Sequence, residues 1–280
     1  MRIAHTLPLL AVLCLPQVRA TVIASDDFES YGVGSSLNGA NGGTGGWTSA
    51  WSSIDGTGSF TGKVETGGIP GSGNTAELAG VVNDNDDVMD RTFASQNDPN
   101  TDLYIGLTLR TTGPLDSGDF LQFYFNDNLT QSNTTGLSAG IRNAAGNPYF
   151  VRKGAANRST NATLLHQNDS AVSLVIRLGK SGSLTTDPWN EVALFVNQAT
   201  EGTPDVQRGA GDSGSGTVSS IGTFQIRLFS FENEQSTFID SVTIATTYDE
   251  AFTAVVPEPS TLALLGLGLV ALVRRRLHRA

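Results

Sequence analysis

The stretch LYIGLTLRTT, Leu103–Thr112, alternates along its length. Leu103, Ile105, Leu107 and Leu109 fall on one side of an extended chain; Tyr104, Thr108 and Arg110 fall on the other. That period of two marks a strand with one buried face. The pattern recurs at Leu121, Phe123 and Phe125, at Val172, Leu174, Ile176 and Leu178, and at Val192, Leu194 and Val196. It returns at Phe224, Ile226 and Leu228, then at Phe238, Val242 and Ile244. Gly, Asn, Asp, Ser and Pro fill the gaps, as in Asp116–Gly118, Ala145–Pro148 and Gly209–Gly216. No long amphipathic helical pattern precedes the C-terminal segment. Many short half-apolar strands bury their faces most economically as two packed antiparallel sheets. The expected fold is all-β, a two-sheet antiparallel jelly-roll sandwich over residues 21–250, a length that suits one domain.

The ends differ from this body. Residues 1–20, MRIAHTLPLLAVLCLPQVRA, carry Arg2, an apolar run Leu7–Leu15 and a small-residue site at Val18-Arg19-Ala20. This reads as a secretory signal peptide cut after Ala20 or Ala24. The only cysteine, Cys14, lies inside it, so disulfides, cysteine zinc sites and thiol nucleophiles are excluded from the body. His5 and His278 lie in the terminal segments, which leaves His166 as the one histidine between them. Multi-histidine metal sites are excluded. The polar setting of His166, LLHQND, predicts a surface residue. Residues 21–254 hold 26 acidic and 11 basic side chains. That balance disfavours a nucleic-acid partner and suits an extracellular surface that attracts divalent cations.

The C-terminal segment VVPEPSTLALLGLGLVALVRRRLHRA, Val255–Ala280, divides into three parts. A linker, 251–260, holds Pro257, Glu258 and Pro259, and the two prolines favour an extended strand outside any helix. An apolar helix is expected over 261–273. Twelve uncharged residues from Leu262 to Val273 rise roughly 18 Å, short of the ~30 Å hydrocarbon core, and arginine snorkelling closes part of the gap. The stretch 274–280 carries Arg274, Arg275, Arg276 and Arg279. Arginine clusters stay on the cytoplasmic side, so the body is expected outside.

This order of motif, short apolar helix and arginine cluster resembles the PEP-CTERM sorting signal of bacterial exported proteins. The resemblance implies recognition by an exosortase, an integral-membrane cysteine protease, at Pro257-Glu258-Pro259. It also implies a stay in the inner membrane before transfer to the cell surface or extracellular matrix, with Arg274–Arg276 fixing topology. Such proteins accompany exopolysaccharide systems.

The body resembles concanavalin A-like, laminin-G-like domains of exported bacterial proteins. The resemblance rests on DDFESYGVGSSLNGANGGTGGWTSAW (Asp26–Trp51), PWNEVALFVNQATEGTPD (Pro188–Asp205) and FIDSVTIATTYDEAF (Phe238–Phe252). It implies the fold rather than an activity. Glycosidases of this fold carry Glu-x-Asp-x-x-Glu on one strand, so that two carboxylates flank one bond. No such run occurs here. Glu232-Asn-Glu234 offers two same-face carboxylates, but at a strand end, where a polar turn accounts for them.

Two further groups deserve a function test against a structural account. Trp47 and Trp51 in the Gly-rich loop either stack on sugar rings or cover the edge of the core, where most tryptophan surface lies. Trp189 poses the same choice. Asp84, Asp86 and Asp87, with Asp90 nearby, either supply oxygen ligands to calcium or form a solvated acidic turn. The EF-hand spacing fails, with no Gly at the sixth position and no terminal Glu. No other cofactor is expected.

These observations define an exported, exosortase-sorted envelope or matrix protein. Its expected role is structural or adhesive, without catalysis, and includes binding of extracellular polysaccharide. A glycoside hydrolase or lyase on the same fold, and a calcium-dependent adhesion module, are the rival expectations. Paired carboxylates facing one cleft would mark the first rival, and oxygen ligands converging at Asp84–Asp87 the second.

Overall fold

The computed structural model describes residues 21–54, 62–79, 87–98, 100–116, 118–127, 136–143, 146, 148–154, 158–182, 184, 187–212, 218–232 and 235–253. The signal-peptide segment, Asp84, Asp86, Glu234 and everything from 254 onward lie outside them. In chain order the strands are β1 (Val22–Asp26), β2 (Thr44–Gly45), β3 (Ser52–Ile54), β4 (Lys63–Thr66), β5 (Asn74–Ala79) and β6 (Asp87–Gln96). Next come β7 (Leu103–Thr112), β8 (Phe120–Asn126), β9 (Leu137–Arg142), β10 (Pro148–Lys153) and β11 (Ser159–Leu165). The last are β12 (Val172–Lys180), β13 (Trp189–Val196), β14 (Val206–Arg208), β15 (Ile221–Phe229) and β16 (Ser236–Ala245), followed by a short helix α1 (Tyr248–Thr253).

The strands form two antiparallel sheets. One has nine strands in the order β14-β13-β12-β7-β16-β1-β2, with β5 also paired to β16 and β4 to β5. The other has seven, β11-β10-β9-β8-β15-β6-β3. The alternating rows meet between them. Leu107 pairs with Leu174 on one side and Val242 on the other, and Phe123 pairs with Ile226 across β8 and β15. All five are fully buried. Each such side chain contributes about 1.5–3 kcal/mol by leaving water.

One row differs from its sequence expectation. Ile239, Val242 and Ile244 face the core, whereas Phe238 is only half-buried and packs outside, its ring 5.9 Å from the Arg110 guanidinium. The register of β16 shifts between Ile239 and Val242, so a bulge reverses the parity of the strand. Strict alternation carried past that bulge places Phe238 on the wrong face.

Helix α1 covers the outer face of the nine-stranded sheet. Tyr248 and Ala251 pack on Tyr104, Val175, Ala193, Phe195 and Ala245. Thr247 caps it: its Oγ1 accepts from Glu250 N at 3.4 Å, and the hydroxyl donates to Glu250 Oε2 at 3.2 Å. Gly106 lets the helix seat, because a Cβ there would collide with the Ala251 carbonyl. Among the described residues no helix is long and apolar enough to cross a membrane.

Candidate functional site

The outer face of the seven-stranded sheet is polar. Phe123, Phe224 and Met89 point into the core, so their neighbours in sequence point out. The registers align these neighbours in rows. One row runs Arg152, Ser138, Tyr124, Gln225, Asp90 and Ser52 across β10, β9, β8, β15, β6 and β3. The adjacent row runs Phe150, Gly140, Gln122, Arg227 and Val88, and beyond it lie Arg142, Phe120 and Phe229. Gly140 keeps the sheet closed here, since a Cβ would strike the Leu121 carbonyl.

Side chains on this face hold one another. Gln122 Nε2 donates to Ser138 Oγ at 2.7 Å, and the Gly136 amide donates to the Tyr124 hydroxyl at 2.9 Å. Phe120 and Phe229 stack with centroids 4.7 Å apart and planes 7° from parallel. Gln122, Tyr124, Asn126, Ser138, Thr223 and Gln225 are all buried. This face combines amides, hydroxyls, guanidinium groups and flat rings, held by their neighbours.

Asp90 is the one carboxylate that the described strands place on this face. It is 1% exposed, its Oδ2 has no hydrogen-bond partner, and burial pushes its carboxyl up to about 6, against a smaller opposing effect of the Gln225 amide. Burial also raises the Tyr124 hydroxyl.

Apart from Asp90, the described residues singled out from sequence lie elsewhere. Trp51 is 1% exposed and donates its indole N–H to Asp26 Oδ2 at 2.9 Å, so it has no face to offer a sugar. Trp47 is half-buried, donates to the Ser25 carbonyl at 3.0 Å, and lies under the Arg91 guanidinium at 4.6 Å. Trp189 is buried and donates to the Gln96 carbonyl at 3.2 Å. Asp87 and Asp90 sit on strand β6 and are buried, not in a solvated turn. Asp87 shares the core-side parity of Met89 and Arg91, opposite to Asp90, so the two cannot serve one ion. Asp84 and Asp86 lie outside the described residues. Among those described, no cluster of three His, Cys, Asp or Glu could hold a metal ion.

Glu232 is exposed near the end of β15, and its sequence partner Glu234 is outside the described residues. His166 corrects the surface expectation. It is 3% exposed, with Nε2 2.7 Å from Thr111 Oγ1 and Nδ1 3.1 Å from the Tyr149 hydroxyl, and burial pushes its imidazole down to about 4. The polar neighbours in LLHQND hid a side chain turned inward to partners distant in sequence. The sorting residues Pro257, Glu258, Pro259 and Arg274–Arg276 fall outside the described residues.

Residues 255–277 match the PEP-CTERM protein-sorting motif. The chain therefore carries that sorting signal, which implies export and exosortase processing. The sandwich is of the lectin-like, concanavalin A-like type. It is similar to the globular domain of T. cruzi calreticulin, at 11% identity and a TM-score of 0.52, covering 82% of this chain and 90% of that one. A carbohydrate esterase of the Shiga toxin-encoding bacteriophage phi24B is similar at 12% identity and a TM-score of 0.48, covering 82% and 100%. Peanut lectin is similar at 11% identity and a TM-score of 0.41, covering 71% and 98%. At these identities the likeness is one of fold. No curated relative matches this chain in sequence.

Proposed function

We propose that this is a non-enzymatic, exosortase-sorted protein of the cell envelope or extracellular matrix, whose sandwich binds polysaccharide on the outer face of the seven-stranded sheet. The observation that carries this reading is the half-exposed group of Arg142, Arg152, Arg227 and Phe229, which lies over the buried side chains of Gln122, Tyr124, Ser138 and Gln225. Guanidinium N–H groups donate to sugar hydroxyls, and a ring edge such as that of Phe229 suits the apolar face of a sugar. Hydrolysis of a glycosidic bond generally uses two carboxylates some 5–9.5 Å apart, roughly. The described strands offer Asp90 alone here, which favours binding over catalysis. The tail sequence supports delivery in this reading: signal peptide 1–20 starts export, the apolar run 261–273 halts it, and the arginine-rich 274–280 stays in the cytoplasm until processing.

The test is affinity electrophoresis of the full chain in detergent, through gels containing polysaccharide extracted from the host's own matrix. Retardation that depends on polysaccharide concentration is expected. Unchanged mobility at saturating polysaccharide would remove the reading.

A further inference from the structure

Both ends of the body leave from the same sheet. The Thr21 amide donates to Thr246 Oγ1 at 3.1 Å, and the Thr246 amide donates to the Thr21 carbonyl at 3.1 Å. Val22 then pairs with Ala245, so β1 starts where β16 ends. Two residues past Thr246 the chain enters α1, which lies on the outer face of the nine-stranded sheet. There the Ala251 carbonyl stands against Gly106. Gly106 belongs to β7, the middle strand of the path β14-β13-β12-β7-β16-β1-β2. Thr253, exposed and two residues past Ala251, therefore leaves close to the centre of that face and not from its rim.

Both apolar terminal segments join the body here. Residues 1–20 run into Thr21, and the apolar run that begins at Leu262 lies nine residue steps beyond Thr253. Nine steps reach at most roughly 30 Å, and a flexible chain of that length spans about 15–18 Å on average. The rim of the sheet lies three strand spacings from β7 on either side, about 14 Å, and the second sheet lies about 10 Å behind the first. Turning the seven-stranded sheet toward the membrane routes the tail across half of the face and then down the side of the sandwich, which takes most of its full reach. Turning the nine-stranded sheet toward the membrane needs no such extension.

We propose that, while the tail holds the chain in the membrane, the sandwich hangs by the centre of its nine-stranded sheet. That sheet faces the bilayer, and the outer face of the seven-stranded sheet points away from it. This rests on the anchored stage proposed for the tail and goes beyond it by giving each sheet a side. The short tether sets the pose, not adhesion to lipid: Asp102, Glu201, Asp249 and Glu250 outnumber Arg177 around the exit, and anionic headgroups repel them. The half-exposed Arg142, Arg152, Arg227 and Phe229 thereby stand on the far side of the molecule, open to polymer arriving from outside.

The body contains no cysteine, so a single label can be placed on it. The full chain with Cys14→Ser and one of Asp249→Cys, Thr160→Cys or Arg227→Cys takes a donor dye. It is reconstituted in phosphatidylcholine vesicles that contain headgroup-labelled acceptor lipid. Asp249 lies in α1, whereas Thr160 and Arg227 lie on the outer face of the seven-stranded sheet. Energy transfer from the Asp249→Cys dye is expected to exceed that from the other two by about twofold or more, because a whole sheet spacing separates them. A spacer of about 20 Gly and Ser residues inserted after Ala254 lengthens the tether and should bring the three dyes closer to equal. Equal transfer from all three without the spacer, stronger transfer from Thr160→Cys or Arg227→Cys, or a contrast undiminished by the spacer would overturn the proposal. Flotation of the same vesicles separates the two levels: chain that stays behind when they float would overturn the anchored stage, and the pose with it.

Discussion

Arg91 Nη1 lies 2.6 Å from Asp26 Oδ2, and both side chains are essentially sealed from water. This pair fastens the Gly-rich segment that follows β1 to strand β6 of the opposite sheet. The same carboxylate oxygen accepts from the Tyr31 hydroxyl at 2.6 Å and the Trp51 indole at 2.9 Å. Arg91 also donates to the Ser49 and Gly42 carbonyls and to Asn41. Every charge in the network has a partner, which a buried ion pair requires if it is not to destabilise the fold.

Removing one side of this pair leaves the other buried and uncompensated. Asp26→Ala or Arg91→Ala should therefore cost about 3–5 kcal/mol. Arg91→Lys should rescue little of it, because one ammonium cannot reach Asp26, Asn41 and two backbone carbonyls together. Urea denaturation measures this. Losses below about 1 kcal/mol, the level of a surface pair, would show that the network bears no weight.

His166 and Asp90 oppose one another in acid. The unfolded chain protonates histidine near 6.5, while the folded imidazole waits until about 4, so stability falls as pH drops through that window. Folded Asp90 holds its proton up to about 6, against 3.8 unfolded, so its share of stability is lost as pH rises through that range. Each is worth about 3 kcal/mol at 1.36 kcal/mol per unit. Asp90→Asn leaves the histidine unopposed and should lose about 3 kcal/mol more than the parent chain between pH 7 and pH 4. Parallel stability profiles for the two would contradict it.

Much of the sandwich is legible in sequence because its central strands alternate without interruption. Leu103–Leu109 and Val172–Leu178 announce both their strands and their buried faces. The outer face of the seven-stranded sheet is harder to see. Arg142 and Arg152 stand in LSAGIR and PYFVRK, where Leu137, Ala139, Ile141, Tyr149 and Val151 do alternate, but Gly, Ser and Pro interrupt the pattern. The two strands come together only through pairing that no local signal encodes. For Trp47 and Trp51 the sequence offers two accounts, stacking on sugar rings or covering the edge of the core. Asp26 and Arg91, 65 positions apart, draw those rings inward. Asp87 and Asp90 misled similarly: a run of aspartates reads as a solvated turn until a strand carries its end into the sheet.

Helix α1 depends on the absence of a side chain at Gly106. Gly106→Ala should displace the helix from Tyr104 and Phe195 and cost about 1–3 kcal/mol, the range for overpacking. A melting curve unchanged from the parent chain would show that the helix docks without this close approach.

The tail should be read by its prolines. Pro257→Ala with Pro259→Ala removes the two residues that disfavour helix just before the apolar run. Export should persist while tail removal stops, as seen by size and fractionation of tagged protein in its native host. Removal at the normal rate would leave the segment a simple anchor.

The central claim is the location of the polysaccharide site. A crystal structure of the chain with an oligosaccharide cut from the host's matrix polysaccharide tests it most directly. The account predicts sugar density on the outer face of the seven-stranded sheet, against the half-exposed Arg142, Arg152, Arg227 and Phe229. Density confined to the nine-stranded sheet, or to the Trp47 loop, would contradict it.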